Sequence, residues 1–90
     1  MKLHAVVKGK VQGVGFRWWV QHRAEELGLD GWVRNLPDRA VEVLAIGPTE
    51  AIDRMEKLLR EGAPGSHVQS VAASRSEREP DGTGFRIEFF

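Results

Sequence analysis

Residues 3–28 read LHAVVKGKVQGVGFRWWVQHRAEELG, and the hydrophobic period changes within them. Over Leu3–Gly9 the residues are apolar and β-branched, with Leu3, Ala5 and Val7 on one parity, which predicts a strand. From Phe16 to Leu27 the apolar residues Phe16, Val20, Ala24 and Leu27 recur at helical spacing. Gly28 is placed to close that helix in the left-handed conformation. Lys10–Gly15, with Gly13 and Gly15, reads as the loop between them. A strand, a glycine loop and a helix in direct succession make a β-α unit.

Working outward, Gly31–Leu36 and Val41–Ile46 predict two strands joined by the turn Pro37-Asp38-Arg39-Ala40. Pro48-Thr49 opens a second helix, with Glu50 and Asp53 in its first turn, where the dipole favours acids. Ala51, Ile52, Met55, Leu58 and Leu59 form its apolar stripe, and Gly62 ends it. The breakers Gly62–Ser66 precede a strand from about Val68 to Ser74. Glu77–Gly84 is polar and turn-rich, and Phe85, Ile87 and Phe89 alternate in a last strand. The parsimonious order is β-α-β-β-α-β. The expected class is α+β, a ferredoxin-like split β-α-β sandwich: a four-stranded antiparallel sheet with both helices on one face.

Ninety residues suit one domain, 1–90, that buries roughly 60–65% of its unfolded surface. The chain is 41% hydrophobic and 29% charged, the balance of an ordinary globular protein. It has no cysteine, which removes disulfides, thiolate nucleophiles and thiolate metal sites. His4, His22 and His67 lack metal-ligand spacing, so neither metal nor cofactor is expected. Thirteen basic and thirteen acidic residues cancel, which argues against nucleic acid as a partner. No apolar run nears the roughly 20 residues of a membrane span, and no signal-peptide pattern opens the chain. A cytoplasmic monomer is expected. The charge is nonetheless uneven: residues 1–40 hold seven bases and four acids (+3), and the remainder six bases and nine acids (−3).

Chemistry concentrates in Gly9–Arg17. Gly13 and Gly15 remove Cβ atoms where backbone N–H groups must converge. The helix beginning near Phe16 adds unpaired amides and the positive end of its dipole, and together these suit an anion. Arg17 lies in that first turn, where a cation opposes the dipole unless an anion sits there. Its guanidinium can fork two donors to one phosphate or carboxylate. From spacing alone the segment also suits a plain tight turn with a surface arginine. It lacks the closing Gly-Lys-Ser/Thr of a Walker loop and the third glycine of a dinucleotide fingerprint.

Asn35 is the second candidate. Strand alternation puts Val33 and Asn35 on the core face, and Trp32 and Arg34 on the helix-free face. An amide can hold a water by its oxygen while its N–H contacts a phosphate oxygen, although an Asn before Pro-Asp also serves plain turn chemistry. Arg34 reads as a solvated charge. Trp19, about 60° around the helix from Phe16, reads as the edge of the core, and Trp18, about 200° away, as exposed.

Val11-Gln12-Gly13-Val14-Gly15-Phe16-Arg17, with Leu27-Gly28-Leu29, Gly31-Trp32-Val33-Arg34-Asn35 and Val41-Glu42, resembles the acylphosphatase family over essentially the whole chain. The resemblance implies hydrolysis of carboxyl–phosphate anhydrides to carboxylate and inorganic phosphate, with no metal and no covalent intermediate. It implies Arg17 and Asn35 as catalytic residues, and Gln12, Gly13, Val14, Gly15, Phe16 and Arg17 as the phosphate-binding loop. The implied partner is a small-molecule acyl phosphate. Similar proteins also place a chain end near the arginine, which makes the Phe90 carboxylate a candidate partner of Arg17. The alternatives are a non-catalytic phosphate-binding regulatory module and, disfavoured by the charge balance, a ferredoxin-like nucleic-acid binder. Two residues depart from the family pattern. Arg39 follows Asp38 where a glycine is common, a cost of roughly 1–2 kcal/mol if that position is left-handed. Gly62-Ala63-Pro64 replaces a Gly-Pro pair.

Overall fold

Alternating side chains build the sheet first. In the computed structural model, which describes residues 1–13, 15–77 and 84–89, β1 spans Lys2–Lys10. Leu3, Ala5 and Val7 on β1 are fully buried, as the parity predicts. β2 (Asp30–Asn35) and β3 (Val41–Ile46) add Val33, Val41, Val43 and Ala45 to the same face. α1 (Phe16–Glu26) and α2 (Thr49–Glu61) close over that face. α1 contributes Phe16, Val20 and Ala24, and α2 contributes Ile52, Met55 and Leu59. Leu58, expected in the buried stripe, is only half-buried. β4 (His67–Ser76) and β5 (Phe85–Glu88) complete the sheet.

The ferredoxin-like α+β arrangement is the expected one, but the sheet has five strands and is mixed. Its order is β4-β1-β3-β2-β5. β1 pairs antiparallel with β3 and β4, and β2 antiparallel with β3. β5 runs parallel to β2 at the far edge, with Gly31 opposite Phe85 and Arg34 opposite Glu88. The four-stranded, wholly antiparallel expectation therefore needs correction. The chain after α2 forms two strands on opposite edges, and strand direction is a pairing property that periodicity does not encode. The last strand also ends one residue early. Phe85 is buried and Ile87 half-buried, but Phe89 lies beyond β5 and is 75% exposed.

Helix ends follow sequence chemistry. Gly28 takes φ 69°, and the amides of Gly28 and Leu29 donate to the carbonyls of Glu25 and Ala24. This is the Schellman closure expected of a glycine there. No described helix is long and apolar enough to cross a membrane.

The helix-free face carries a polar cluster that corrects the reading of Arg34 as a solvated charge. Arg34 pairs with Glu42 on the neighbouring strand, and His4 Nε2 lies 2.7 Å from the other carboxylate oxygen. The Arg34 guanidinium also lies over the Trp32 ring, 5.2 Å from its centroid. Burial works to raise the Glu42 pKa, but hydrogen bonds and charge from His4 and Arg34 outweigh it. The carboxyl is held below its ordinary value of 4.5. On the other edge Arg75 joins Asp53 and Glu56, tying β4 to α2.

Two outcomes follow from this frame. A depressed carboxyl stabilises the fold above its unfolded pKa of 4.5 and loses that contribution as pH falls through the lower folded value. Glu42→Gln should therefore lower the melting temperature at pH 7, with the gap to the parent closing on acidification below 4.5. Arg39 has φ 71°, the left-handed case, while the Asp38 carboxylate accepts from the Ala40 amide. Arg39→Gly relieves about 1–2 kcal/mol of strain and adds about 0.4–1 kcal/mol of unfolded-state freedom, so a net gain of about 0.5–1 kcal/mol should appear in a denaturant midpoint.

Candidate active site

The site begins where β1 hands the chain to α1. Gly15 is the N-cap of α1 at φ 72° and ψ 22°, and Gly13 lies at φ 77°. A side chain strains this left-handed geometry, which glycine adopts freely. No side chain caps α1, and its first turn holds no acid. The first intrahelical bond runs from the Trp19 amide to the Gly15 carbonyl, 3.0 Å. The amides of Phe16, Arg17 and Trp18 therefore have no acceptor within the helix, and they carry the positive end of its dipole. α2 differs, for Glu50 occupies its first turn.

Phe16 is 1% exposed and holds this turn against the core, with the Trp19 ring 5.5 Å away. Trp19 sits at the core edge as expected, and Trp18 is exposed as expected. Arg17, half-buried, opens into a pocket of about 170 Å³ lined by Val11, Gly13, Gly15, Trp18, Ile87 and Phe89 as well as Phe16. Its guanidinium carbon lies 4.9 Å from the centre of the Phe89 ring. Val14 and Phe90 lie outside the described residues. The chain end thus reaches Arg17 through Phe89, a residue that the sequence reading placed only in the last strand. Its signal was the unbalanced phenylalanine at the end of an alternating run.

Gln12 was expected in the phosphate loop. Its side chain points to the β2–β3 turn, where Nε2 donates to the carbonyls of Leu36 (3.1 Å) and Ala40 (2.9 Å). That bond pair ties the loop to the end of β2, one residue past Asn35. Asn35 shares the core-side parity of Val33, and its side-chain oxygen is buried with no hydrogen-bond partner among the described residues. The β2–β5 pairing ends with Arg34 opposite Glu88, and Asn35 is not among the residues that line the Arg17 pocket. The described residues contain no group of three or more His, Asp or Glu that could hold a metal. The arrangement is a cationic, amide-rich cradle for an oxyanion, with a neutral amide on the adjoining strand.

The family model described as acylphosphatase matches residues 3–87. An acylphosphatase of Nocardia farcinica is 48% identical over 85 residues, covering 94% of this chain and 85% of the relative. The crystal structure of acylphosphatase from Bacillus subtilis superposes with a TM-score of 0.94 at 36% identity, covering 98% of each chain. The structure of an acylphosphatase from Coxiella burnetii gives 0.91 at 40% identity, covering 97% of this chain and 90% of that one. The chain belongs to the acylphosphatase family, and it is a hydrolase of that kind.

The tether from Gln12 is open to test. Gln12→Ala removes two hydrogen bonds, a stability loss of about 1–2 kcal/mol. It should also weaken competitive inhibition by inorganic phosphate several-fold, because the loop loses its anchor. Unchanged inhibition would mean that the loop holds its shape without the tether.

Proposed function

We propose that the loop amides and Arg17 bind the phosphoryl group of an acyl phosphate while Asn35 orients the water that attacks phosphorus. The observation that carries this reading is the uncapped N-terminus of α1, with Arg17 in its first turn where the dipole disfavours a cation. An anion between the amides and the guanidinium turns that unfavourable placement into a favourable one. An acyl phosphate is a high-energy anhydride with a good leaving group. Positioning and charge stabilisation can then carry the reaction without a covalent step.

In this mechanism the amides of Gly13, Gly15, Phe16 and Arg17 and the forked guanidinium hold the non-bridging oxygens. Their donors strengthen as charge builds on those oxygens. Asn35 accepts from the water through its side-chain oxygen, which must first turn out of its buried position because no water can reach it there. The water's proton passes to the substrate phosphate, and the carboxylate leaves in line with attack. The acyl phosphate is a small molecule, and the catalytic unit is one domain, residues 1–90, acting as a monomer.

Benzoyl phosphate hydrolysis, followed with a chelator present, tests the assignment. Arg17→Ala should lose at least about 10²–10³-fold in kcat/KM, the scale of removing one oxyanion donor or more. Asn35→Ala should cut kcat strongly while the inhibition constant of inorganic phosphate changes little. Near-normal turnover by Asn35→Ala would remove its water-orienting role. Phosphate binding without turnover in the parent chain would leave a non-catalytic binding module instead.

A further inference from the structure

Among the described residues only two large hydrophobic side chains are exposed, Trp18 at 60% and Phe89 at 75%. Both line the pocket that Arg17 opens into. They come from opposite ends of the chain, one on the first turn of α1 and the other just past β5. Exposing an aromatic ring to water is unfavourable, and large exposed apolar groups gathered at one place mark a binding surface. Each ring is also held. Trp18 stacks on His22, one helical turn on, with centroids 3.9 Å apart, and Phe89 lies against the Arg17 guanidinium. The deeper wall adds Val11, buried, and Ile87, half-buried. Among the described residues Arg17 is the only charged side chain in the lining.

We infer that Trp18 and Phe89 form the acyl-group subsite, and that they select acyl phosphates with an uncharged, apolar and preferably planar acyl group. The inference rests on the reading of Arg17 as the phosphate-binding residue. With the phosphoryl group at Arg17, the acyl carbon projects from the cradle toward the aromatic rim. A flat ring there covers exposed indole and phenyl surface, whereas a methyl or amino group covers little of it. Phe89 serves twice, since it also backs the guanidinium, and so Trp18 is the cleaner probe.

The measurement is kcat/KM for benzoyl phosphate and for acetyl phosphate, with the inhibition constant of inorganic phosphate, in the parent, Trp18→Ala and Trp18→Phe chains. Trp18→Ala should lower the benzoyl-to-acetyl ratio on the order of tenfold, the scale of a single apolar contact in a specificity pocket. Trp18→Phe should restore most of the ratio. Phe89→Leu, which keeps an apolar group and removes the ring, should lower the ratio as well and also weaken phosphate inhibition. A ratio that stays within twofold in Trp18→Ala overturns the subsite, as does an equal loss on both substrates. Those results leave the phosphate assignment standing. Failure of the parent chain to hydrolyse either compound refutes the proposed function itself.

Discussion

Burial of Phe16 is the constraint on which the rest of the site depends. It is the first residue of α1 and it is 1% exposed. A residue at that point has its neighbour on one side in the glycine loop and its neighbour on the other at the mouth of the pocket. Anchoring it in the core sets both the direction of the unpaired amides and the origin of the Arg17 side chain. The glycine before it then has to take a left-handed conformation to bring the chain out of β1 and into the helix. Rigid placement of this kind suits a reaction that relies on orientation and charge, since donors fixed in advance need no reorganisation as the transition state forms.

A second layer joins the pieces across the sheet. Gln12 connects the loop to the β2–β3 turn, and the parallel pairing of β5 with β2 brings Phe89, just past β5, to Arg17. Three segments distant in sequence thereby meet at one end of the sheet. The zero net charge of the whole chain conceals this arrangement. The basic excess of residues 1–40 includes Arg17.

Much of this was legible from residue order. Phe16, Val20 and Ala24 at helical spacing, and Leu3, Ala5 and Val7 at strand spacing, are the residues that the core buries. The anion-binding reading of the two glycines flanking Val14, the arginine of the first turn and Asn35 rested on the family resemblance, since spacing alone also suited a plain turn with a surface arginine. Less legible were the features that depend on partners. Arg34 looked like a solvated charge because its partner Glu42 lies on another strand. The tether from Gln12 had no local signal because the carbonyls that it binds belong to a turn 24 to 28 residues away.

What the amino-acid order determined by itself is the set of elements and the face each one buries. Periodicity, capping and side-chain type act over a few residues, so they survive in a linear string. Tertiary structure alone decided that β5 runs parallel beside β2, that the sheet holds five strands, and that Phe89 rests on Arg17 while Trp18 lines the same pocket. Those are choices among long-range pairings, set by how the buried faces fit together and where the hydrogen-bonding edges find partners. No local pattern carries that information, because each strand edge can pair in more than one direction until the helices have covered one face of the sheet.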